Sequence, residues 1–466
     1  MIKFIPLGGA DEIGASCFYL NIFGTGILLD CGIHPRKKGK DSLPDFSLLK
    51  DEPLDFVFIT HAHQDHLGSL PFLIQEYPHT IIYSTYQTKE IAELVLHNAA
   101  NILSLENSAE GSFRNYTHEE IDILVRFIRD VEYEKPLELK GLRHTFNEPI
   151  KITFTDAGHI LGSASIIIEV ANKKIIYTGD INFSNQKIMV GADYKNLSKA
   201  SILLMETTYG STESSKLGTW HSESKRFAKH INQIINSGGS VLIPVFALGK
   251  TQELLATISG LMQRKILTET TIYSGGIGRE ISNIYDRNRY LVNYSDTELI
   301  LKNIPQQNLS DINDLNTFIK NPGIVIASSG MMLPGTVSYK LMQYWIKQKK
   351  FAIYSVGYMD FETPGYMIMN SKSGEEIILP GSFEPQIIQC SLEKFFFPSH
   401  SKREDLLTLV EKTNPEIIIM LHGENSSKDW VGHKILAMNR NIKLHSAEVG
   451  KTIMLKKQSN HNDWTV

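Results

Sequence analysis

Four times in this sequence, a run of apolar and β-branched residues ends at a histidine or an acid. Such runs have the composition of buried β-strands. They cover residues 54–60 before His61, 174–179 before Asp180, 202–205 before Glu206 and 416–421 before His422. Packing alone does not explain reactive side chains at successive strand ends. The pattern therefore predicts a sheet sandwich whose strands converge on a site at one edge.

The strand end with the most candidate ligand residues is the segment 60–68, Thr-His-Ala-His-Gln-Asp-His-Leu-Gly. His61 and His63 can point the same way from an extended chain, whereas Asp65 and His66 return from the next turn. Imidazole suits zinc and carboxylate suits zinc or harder ions, so two adjacent metal ions would fit this set. The alternatives are a solvated histidine-rich loop, histidines satisfied in a core, or an adventitious metal binder.

Length and composition indicate an ordinary globular protein of two or three domains. The chain has 466 residues, of which 42% are hydrophobic and 21% are charged, and this balance argues against wholesale disorder. No apolar stretch reaches the length of a membrane span, and the first residues lack a secretory signal pattern. We therefore expect a cytoplasmic protein with no membrane partner.

Cysteine content and net charge argue against three further features: a disulfide framework, a cysteine metal site and a polyanion-binding surface. Cys17, Cys31 and Cys390 are too few and too scattered for a disulfide framework or a Cys-x-x-Cys metal site, which predicts small buried thiols. The net charge of -4 and the pI near 6.5 do not indicate a polyanion-binding surface. Any nucleic acid has to be held by a local patch or by the metals.

The first part of the chain predicts strands followed by mixed strands and helices. Strands over 2–7, 17–22 and 26–29 form a β-meander that closes on Asp30. A carboxylate at this strand end is either an ordinary turn residue or a hydrogen-bonding partner behind a metal site. Helical spacing covers 69–76, 87–103 and 121–131. His159 lies between Gly158 and Gly162, which expose the imidazole, although a lone histidine is more often structural.

From 217 to about 381 the sequence pattern changes and predicts alternating helices and short strands. Helices over 222–237 and 250–261 alternate with strands over 240–246, 271–273 and 323–327, which predicts a parallel sheet in an inserted second domain. Two loops of small residues, one at Ser329 and Gly330 and the other at 274–279 with Arg279, could offer backbone N–H groups to phosphate. The alternative for each is an ordinary βα turn.

The ordered set of these residues resembles the metallo-β-lactamase fold and its β-CASP branch. The metal motifs of that fold are matched by His61, His63, Asp65, His66, His159, Asp180 and His422. The three additional motifs of the branch are matched by Glu206 in Glu-Thr-Thr-Tyr-Gly, by His400, and by His422 in His-Gly-Glu. The branch comprises nucleases of RNA, some acting on DNA, and includes the mRNA 3′-end cleavage nucleases and the bacterial J-type ribonucleases.

The resemblance implies an α/β chain, with an αββα metallo-β-lactamase sandwich and an inserted β-CASP α/β domain. The sandwich would be formed by residues 1–207 and 382–466, and the inserted domain by 208–381. One zinc ion would be held by His61, His63 and His159 and the other by Asp65, His66 and His422. Asp180 would bridge the two ions, and Mn²⁺ is the substitute metal.

The resemblance also implies a mechanism in which Asp65, Glu206 and His400 are catalytic. A hydroxide between the ions would attack phosphorus in line, with charge offset by the two cations. Glu206 would orient His400, which would donate a proton to the leaving oxygen or hold the scissile phosphate. Asp30 fits a partner behind the metal-ligand histidines.

Two segments depart from the usual pattern of the family. Ser401 and Lys402 follow His400, where Ala-Asp is common. Tyr366 ends the segment 357–366, where an arginine often stands. Phosphate contacts are then expected from Arg279 or Lys250, together with Ser329 and Gly330.

The function implied is that of a zinc-dependent ribonuclease that leaves 5′-phosphate and 3′-hydroxyl ends on single-stranded RNA. A DNA-preferring nuclease, a small-ester hydrolase and a catalytically weak scaffold subunit of an RNA-processing complex are the alternatives. The small-ester alternative leaves the inserted domain, Glu206 and His400 unexplained. Substrate recognition is expected from the cleft between the two domains or from a partner protein, and a homodimer is the other assembly considered.

Overall fold

A computed structural model describes residues 2–110, 115–214, 217–382, 384–457 and 464–465. Two compact units divide the chain. Unit 1 consists of Met1–Ser184, Gly191–Ser214 and His400–Val466, and unit 2 consists of Asn185–Val190 and Ser215–Ser399.

The elements are numbered in chain order. The strands are β1 (Ile2–Gly8), β2 (Cys17–Ile22), β3 (Thr25–Leu29), β4 (Phe56–Phe58), β5 (Ile81–Thr85), β6 (Arg129–Val131), β7 (Leu137–Leu139), β8 (Ile150–Asp156), β9 (Ala164–Val170), β10 (Lys173–Tyr177), β11 (Ile202–Glu206), β12 (Val241–Pro244), β13 (Thr271–Ser274), β14 (Gln307–Asn308), β15 (Gly323–Ala327), β16 (Ala352–Ser355), β17 (Glu376–Ile377), β18 (Gln386–Ile387), β19 (Ser391–Lys394), β20 (Ile417–Leu421), β21 (Lys443–Ser446), β22 (Ile453–Lys457) and β23 (Trp464–Thr465). The helices are α1 (Gln64–Leu67), α2 (Leu70–Glu76), α3 (Tyr86–Glu110), α4 (His118–Phe127), α5 (Trp220–Asn236), α6 (Lys250–Gln263), α7 (Ile277–Asn288), α8 (Thr317–Lys320), α9 (Val337–Trp345), α10 (Pro364–Asn370), α11 (Arg403–Thr413) and α12 (Asn425–Met438).

Unit 1 is a sandwich of two sheets. One has the strand order β23-β22-β1-β2-β3-β4-β5-β6, and the other has the order β21-β20-β11-β10-β9-β8-β7. A single apolar core joins their facing sides, with Phe18 and Phe58 from the first sheet and Ile166 and Leu204 from the second. The predicted meander is confirmed, because β1, β2 and β3 pair in antiparallel order.

The strands of the second sheet are buried on both faces, which explains their continuous apolar runs. In β20, Ile417 and Ile419 point into the core between the sheets. Ile418 and Met420 point the other way, into an outer core that includes Leu406 of α11 and further residues of α11 and α12. Side chains alternate across a strand, so one sequence run packs against a sheet on one side and helices on the other. The expected αββα layering is confirmed.

Unit 2 contains a parallel sheet with the strand order β14-β13-β15-β12-β16-β19. Its core includes Tyr273 and Trp345, both fully buried. The prediction of βα alternation is therefore confirmed. The observed unit 2 differs from the inserted domain expected over 208–381. Its main part begins at Ser215 and includes 382–399, where β19 pairs with β16, and the short segment Asn185–Val190 belongs to it as well.

No helix among the described residues is both long enough and apolar enough to span a bilayer.

Candidate metal centre

The histidine-rich segment follows β4 and lies entirely in unit 1. The chain leaves the sheet at Thr60, His63 caps α1, and α1 contains Asp65 and His66. This segment lies directly on the turn after β3, where a Cβ added to Gly32 would stand 1.8 Å from the carbonyl oxygen of Asp65. Only glycine permits this approach, which brings the α1 turn against the end of β3.

Asp30 directly follows β3, has a left-handed backbone conformation with φ of 60°, and is fully buried. Its carboxylate accepts hydrogen bonds from Thr60 N at 2.7 Å, from the Thr60 hydroxyl at 2.8 Å and from the Tyr177 hydroxyl at 2.7 Å. It also lies 2.8 Å from His66 Nδ1. A proton held on Nδ1 by the carboxylate leaves Nε2 of His66 as the ligand atom, which is the usual arrangement behind a metal-binding histidine.

Three imidazoles converge on the first group of ligand atoms. His63 Nδ1 lies 3.1 Å from His61 Nε2 and 3.2 Å from His159 Nε2. Asp180 Oδ2 is 3.5 Å from His61 Nε2 and 3.6 Å from His159 Nε2. The four side chains could hold one metal ion.

The second group lies beside the first and contains Asp65, His66 and His422. Asp65 Oδ2 is 3.3 Å from His422 Nε2 and 3.8 Å from His66 Nε2. Asp180 turns its other oxygen, Oδ1, to this group, at 3.3 Å from both His66 Nε2 and His422 Nδ1. The two oxygens of Asp180 thus face two separate groups of ligands.

The donor atoms fit metal ions. Around a tetrahedral zinc ion with Zn–N bonds of about 2.0–2.1 Å, neighbouring nitrogens stand about 3.3 Å apart, and the observed nitrogen separations are close to that spacing. His66 Nε2 and Asp180 Oδ1 are buried and have no hydrogen-bond partner among the described residues. Buried polar atoms without partners are rare in folded proteins, and a cation would satisfy both.

Protonation in the buried cluster supports the same conclusion. Burial lowers the pKa of His61, and the neighbouring His66 lowers it further, so His61 keeps a free lone pair. Burial opposes the charge on Asp180, but His422, His66 and His400 hold the pKa of its carboxyl well below the usual range. Burial also opposes protonation of His66, whose pKa is nevertheless raised by Asp180, Asp30 and Asp65. The buried carboxylates therefore stabilise positive charge within this cluster of histidines.

His400 stands next to this cluster with Glu206 behind it. Glu206 Oε1 is 3.2 Å from His400 Nδ1 and accepts a hydrogen bond from Ile181 N at 2.9 Å. Glu206 Oε2 accepts one from Thr208 N at 3.2 Å, so the carboxylate is held on both sides. Burial opposes the charge on His400, but Glu206 and Asp180 raise its pKa.

Several supporting residues were not identified from the sequence. Ser401 donates from its backbone N–H and its hydroxyl to the carbonyl oxygen of Ile181, at 2.7 and 2.8 Å, and so ties His400 to the turn after Asp180. The Thr208 hydroxyl lies 3.2 Å from His422 Nδ1, and the edge of the Tyr209 ring contacts His400. The Glu-Thr-Thr-Tyr run stands out in the sequence, but no pattern in it predicts these contacts rather than ordinary strand packing.

The four candidate phosphate-binding residues all lie in unit 2. Ser329 and Gly330 follow β15, Arg279 lies on the first turn of α7, and Lys250 begins α6. The Lys250 ammonium is buried and donates to the carbonyl oxygen of Phe397, and burial lowers its pKa to about 8. Their role in phosphate binding stays a prediction.

Three family models match the chain in succession. Residues 19–208 match a metallo-beta-lactamase superfamily domain, residues 251–368 match a Beta-Casp domain, and residues 387–444 match a Zn-dependent metallo-hydrolase RNA specificity domain.

Curated relatives match along most of the chain. The zebrafish Integrator complex subunit 11 (Danio rerio) is 27% identical over 93% of this chain and 71% of its own length. Cleavage and polyadenylation specificity factor 73 of Drosophila melanogaster is 29% identical over 91% of this chain and 60% of its own length. Endoribonuclease YSH1 of Candida glabrata is 28% identical over 91% of this chain and 55% of its own length. The chain thus spans between about half and seven tenths of these relatives.

Among solved structures, a protein of unknown function from Enterococcus faecalis V583 superposes with a TM-score of 0.57 over 97% of this chain and 99% of its own. Its sequence is 13% identical, which shows a shared fold. The resemblance inferred from the motifs is confirmed by the matched domains. By its sandwich fold, its clustered histidines and acids and the three domain matches in order, the chain belongs to the β-CASP nuclease branch of the metallo-β-lactamase superfamily.

Proposed function

We propose that the protein is a zinc-dependent ribonuclease that hydrolyses phosphodiester bonds of single-stranded RNA and leaves 5′-phosphate and 3′-hydroxyl ends. The observation that carries the proposal is Asp180, whose two oxygens face two separate groups of ligand atoms. A bridging carboxylate between two sets of imidazole ligands is typical of a dinuclear centre for phosphoester hydrolysis.

His61, His63 and His159 would hold one zinc ion, and Asp65, His66 and His422 the other, with Asp180 between them. When bound, such ions supply Lewis acidity at the phosphate and a nucleophile derived from water. Asp30 keeps His66 in the tautomer that presents Nε2. The buried acids help to hold the imidazoles in place. Mn²⁺ has ligand preferences that suit the carboxylates and is the substitute metal.

His400 is positioned to complete the reaction. Attack of the water oxygen at phosphorus breaks the bond to the 3′ oxygen, which takes up a proton and leaves as a 3′-hydroxyl, while the other fragment keeps the phosphate at its 5′ end. Glu206 accepts the Nδ1 proton of His400 and helps raise the pKa of the ring, which favours the imidazolium, whose second proton on Nε2 can be given to that oxygen. We assign both residues to bond breaking, although together with Asp180 they also form a group of side chains that could hold a metal ion.

RNA is preferred to DNA because the last matched domain is described by its RNA specificity, and because one relative is named an endoribonuclease. Membership of a larger complex is the second part of the proposal, since another relative is named as a complex subunit. A DNA-preferring nuclease and a weakly active scaffold subunit are the competing functions. Against the scaffold, every residue expected to hold metal is present and clustered.

Incubation of the metal-loaded chain with end-labelled linear and circular RNA and DNA tests the substrate. We expect cleavage of RNA, with 5′-phosphate on the product. Cutting of circular RNA identifies endonuclease action, and cutting of linear RNA alone identifies exonuclease action. Cleavage of DNA in preference to RNA would support the first competing function, and inertness toward all four substrates would support the scaffold.

Two variants distinguish the role of the metal ligands from the role of the proton donor. His63→Ala should lose bound zinc and abolish cleavage. His400→Ala should keep zinc and lower the turnover rate by about 10²–10⁴-fold, as expected for a lost general acid. His433→Ala, an exposed histidine on α12, is the matched control and should behave as the wild type. Loss of a zinc ion in His400→Ala would instead make His400 a ligand, and wild-type cleavage by His63→Ala would exclude the dinuclear mechanism.

A further inference from the structure

A second group of histidines and acids lies on the surface of unit 1 and shares no residue with the proposed metal centre. Glu93 and His97 are four positions apart on α3, and His118 and Asp122 are four positions apart on α4. That spacing puts each pair on one face of its helix. One ligand atom from each of Glu93, His97 and Asp122 lies within 4.8 Å of the others. We call these three residues and His118 the α3–α4 cluster.

A chain of hydrogen bonds determines the tautomers of the two histidines. His118 Nε2 lies 3.2 Å from the side-chain oxygen of Asn101, which can only accept, so Nε2 carries a proton. In a neutral ring, His118 Nδ1 is then an acceptor. It lies 2.7 Å from His97 Nδ1, which must therefore donate. A neutral His97 consequently has its lone pair on Nε2.

That lone pair faces a second acceptor. His97 Nε2 lies 3.1 Å from Asp122 Oδ1, and a carboxylate has no proton to offer. Two acceptors at this distance repel each other unless a positive charge joins them. The charge is either a proton, which makes one of the two rings an imidazolium, or a metal ion bound by both atoms.

The neighbouring residues favour a metal ion. Glu93 adds a second carboxylate within ligand distance, so a bound ion would have one nitrogen and two oxygen ligands, which suits a divalent transition metal such as zinc. The hydrogen bond from His97 Nδ1 to His118 is the orienting contact that metal-bound histidines usually make through the second ring nitrogen. A proton would not need Glu93.

We propose that Glu93, His97 and Asp122 form a further divalent-metal site that links α3 to α4, with His118 as the positioning residue for His97. Water would complete the coordination, because Glu93 and Asp122 are exposed and His97 is half-buried. Such a site binds more weakly than the buried centre. It does not depend on the nuclease function proposed above.

Zinc titration of the full chain, with bound metal counted after removal of free ion, tests the site. Wild type should bind one more zinc ion per chain than Asp122→Asn or His97→Ala, and this extra zinc should raise its thermal unfolding midpoint. Asp122→Asn keeps the shape of the side chain and supplies an N–H to His97, so its fold should be retained. His433→Ala should match the wild type in both measurements.

The same titration on His63→Ala separates the two sites. That variant should lose zinc from the buried centre and keep the additional ion, whereas Asp122→Asn should show the reverse and retain RNA cleavage. Equal zinc binding by wild type, Asp122→Asn and His97→Ala would overturn the proposal and leave a proton shared by the two histidines as the charge that faces Asp122.

Discussion

Single buried carboxylates control the protonation of the proposed metal centre. Asp180 lies within 4 Å of five imidazoles through its two oxygens, and Asp30 is contacted from the loop at Thr60, from helix α1 through His66 and from strand β10 through Tyr177. Neither residue could be replaced by a neutral one without leaving buried donors or ligand atoms unsatisfied. Substitutions at Asp180 or Asp30 should therefore reduce metal affinity more than they disturb the fold.

Asp30→Asn should weaken metal binding by about 10–100-fold, the usual effect of losing the partner behind a metal-bound histidine. The reason is that an amide cannot hold a proton on His66 Nδ1 as a carboxylate does. Competition with a chromophoric chelator measures the affinity. Tyr177→Phe removes only one hydrogen bond to Asp30 and is the milder comparison. Unchanged affinity in Asp30→Asn would show that His66 is oriented by other contacts.

Glu253, in unit 2, should make stability depend on pH. The side chain is buried and accepts hydrogen bonds from the backbone N–H groups of Ile188 and Met189 at 2.7 and 2.9 Å. Burial raises its pKa to about 7 in the folded protein, above the ordinary 4.5. Between these two values the native state holds more protons than the unfolded state, so the free energy of unfolding falls as pH rises, by up to about 3 kcal/mol.

Urea titrations at about pH 5 and about pH 7 measure this dependence. In Glu253→Gln the decrease should be largely absent, because the amide does not titrate in this range. Glu269→Gln replaces an exposed glutamate of the same unit and should keep the decrease seen in wild type. An equal slope in wild type and Glu253→Gln would mean that other groups cause it.

At the scale of elements, the turn after β3 and the first turn of α1 depend on their close contact. Gly32→Ala should displace this turn, because the added Cβ would stand 1.8 Å from Asp65 O and 2.7 Å from His66 N. We expect loss of zinc from the second group of ligands, measured as metal content per chain. Gly260→Ala, in α6, is the control, since its Cβ meets only the Lys187 side chain at 3.7 Å. Full zinc content in Gly32→Ala would show that the loop adapts.

Most predicted elements lie at or near their expected positions, including the short strands over 271–273 and 323–327, but one predicted helix is too long. The helical spacing over 121–131 predicts one helix, but α4 ends at Phe127 and Arg129–Val131 form β6, which pairs with β5. Arg129 and Asp130 are exposed, so only Val131 offers an apolar signal. A strand of this length has no readable period, and its pairing with β5, far back in the chain, decides its conformation.

For the whole molecule, metal should contribute to the stability of unit 1 alone, since all proposed ligands lie there. Binding to the folded state stabilises by about 2.7 kcal/mol when free metal is 100 times the dissociation constant. Exhaustive chelation should therefore lower the midpoint temperature of one calorimetric unfolding transition and leave that of the other unchanged. Added zinc should restore the first midpoint. A single transition that is indifferent to chelation would exclude metal from the folded centre.

The sequence by itself determined which residue types stand at the strand ends, and with them the family and the layered fold. Local spacing carries this information, because strand periodicity and motif order are properties of neighbouring residues. Only the tertiary structure decided how the ends meet. Asp180 divides its oxygens between two ligand groups, Ser401 ties His400 to the turn after Asp180, and β19 joins the sheet of unit 2. These contacts join residues distant in sequence, where no local pattern specifies the partner.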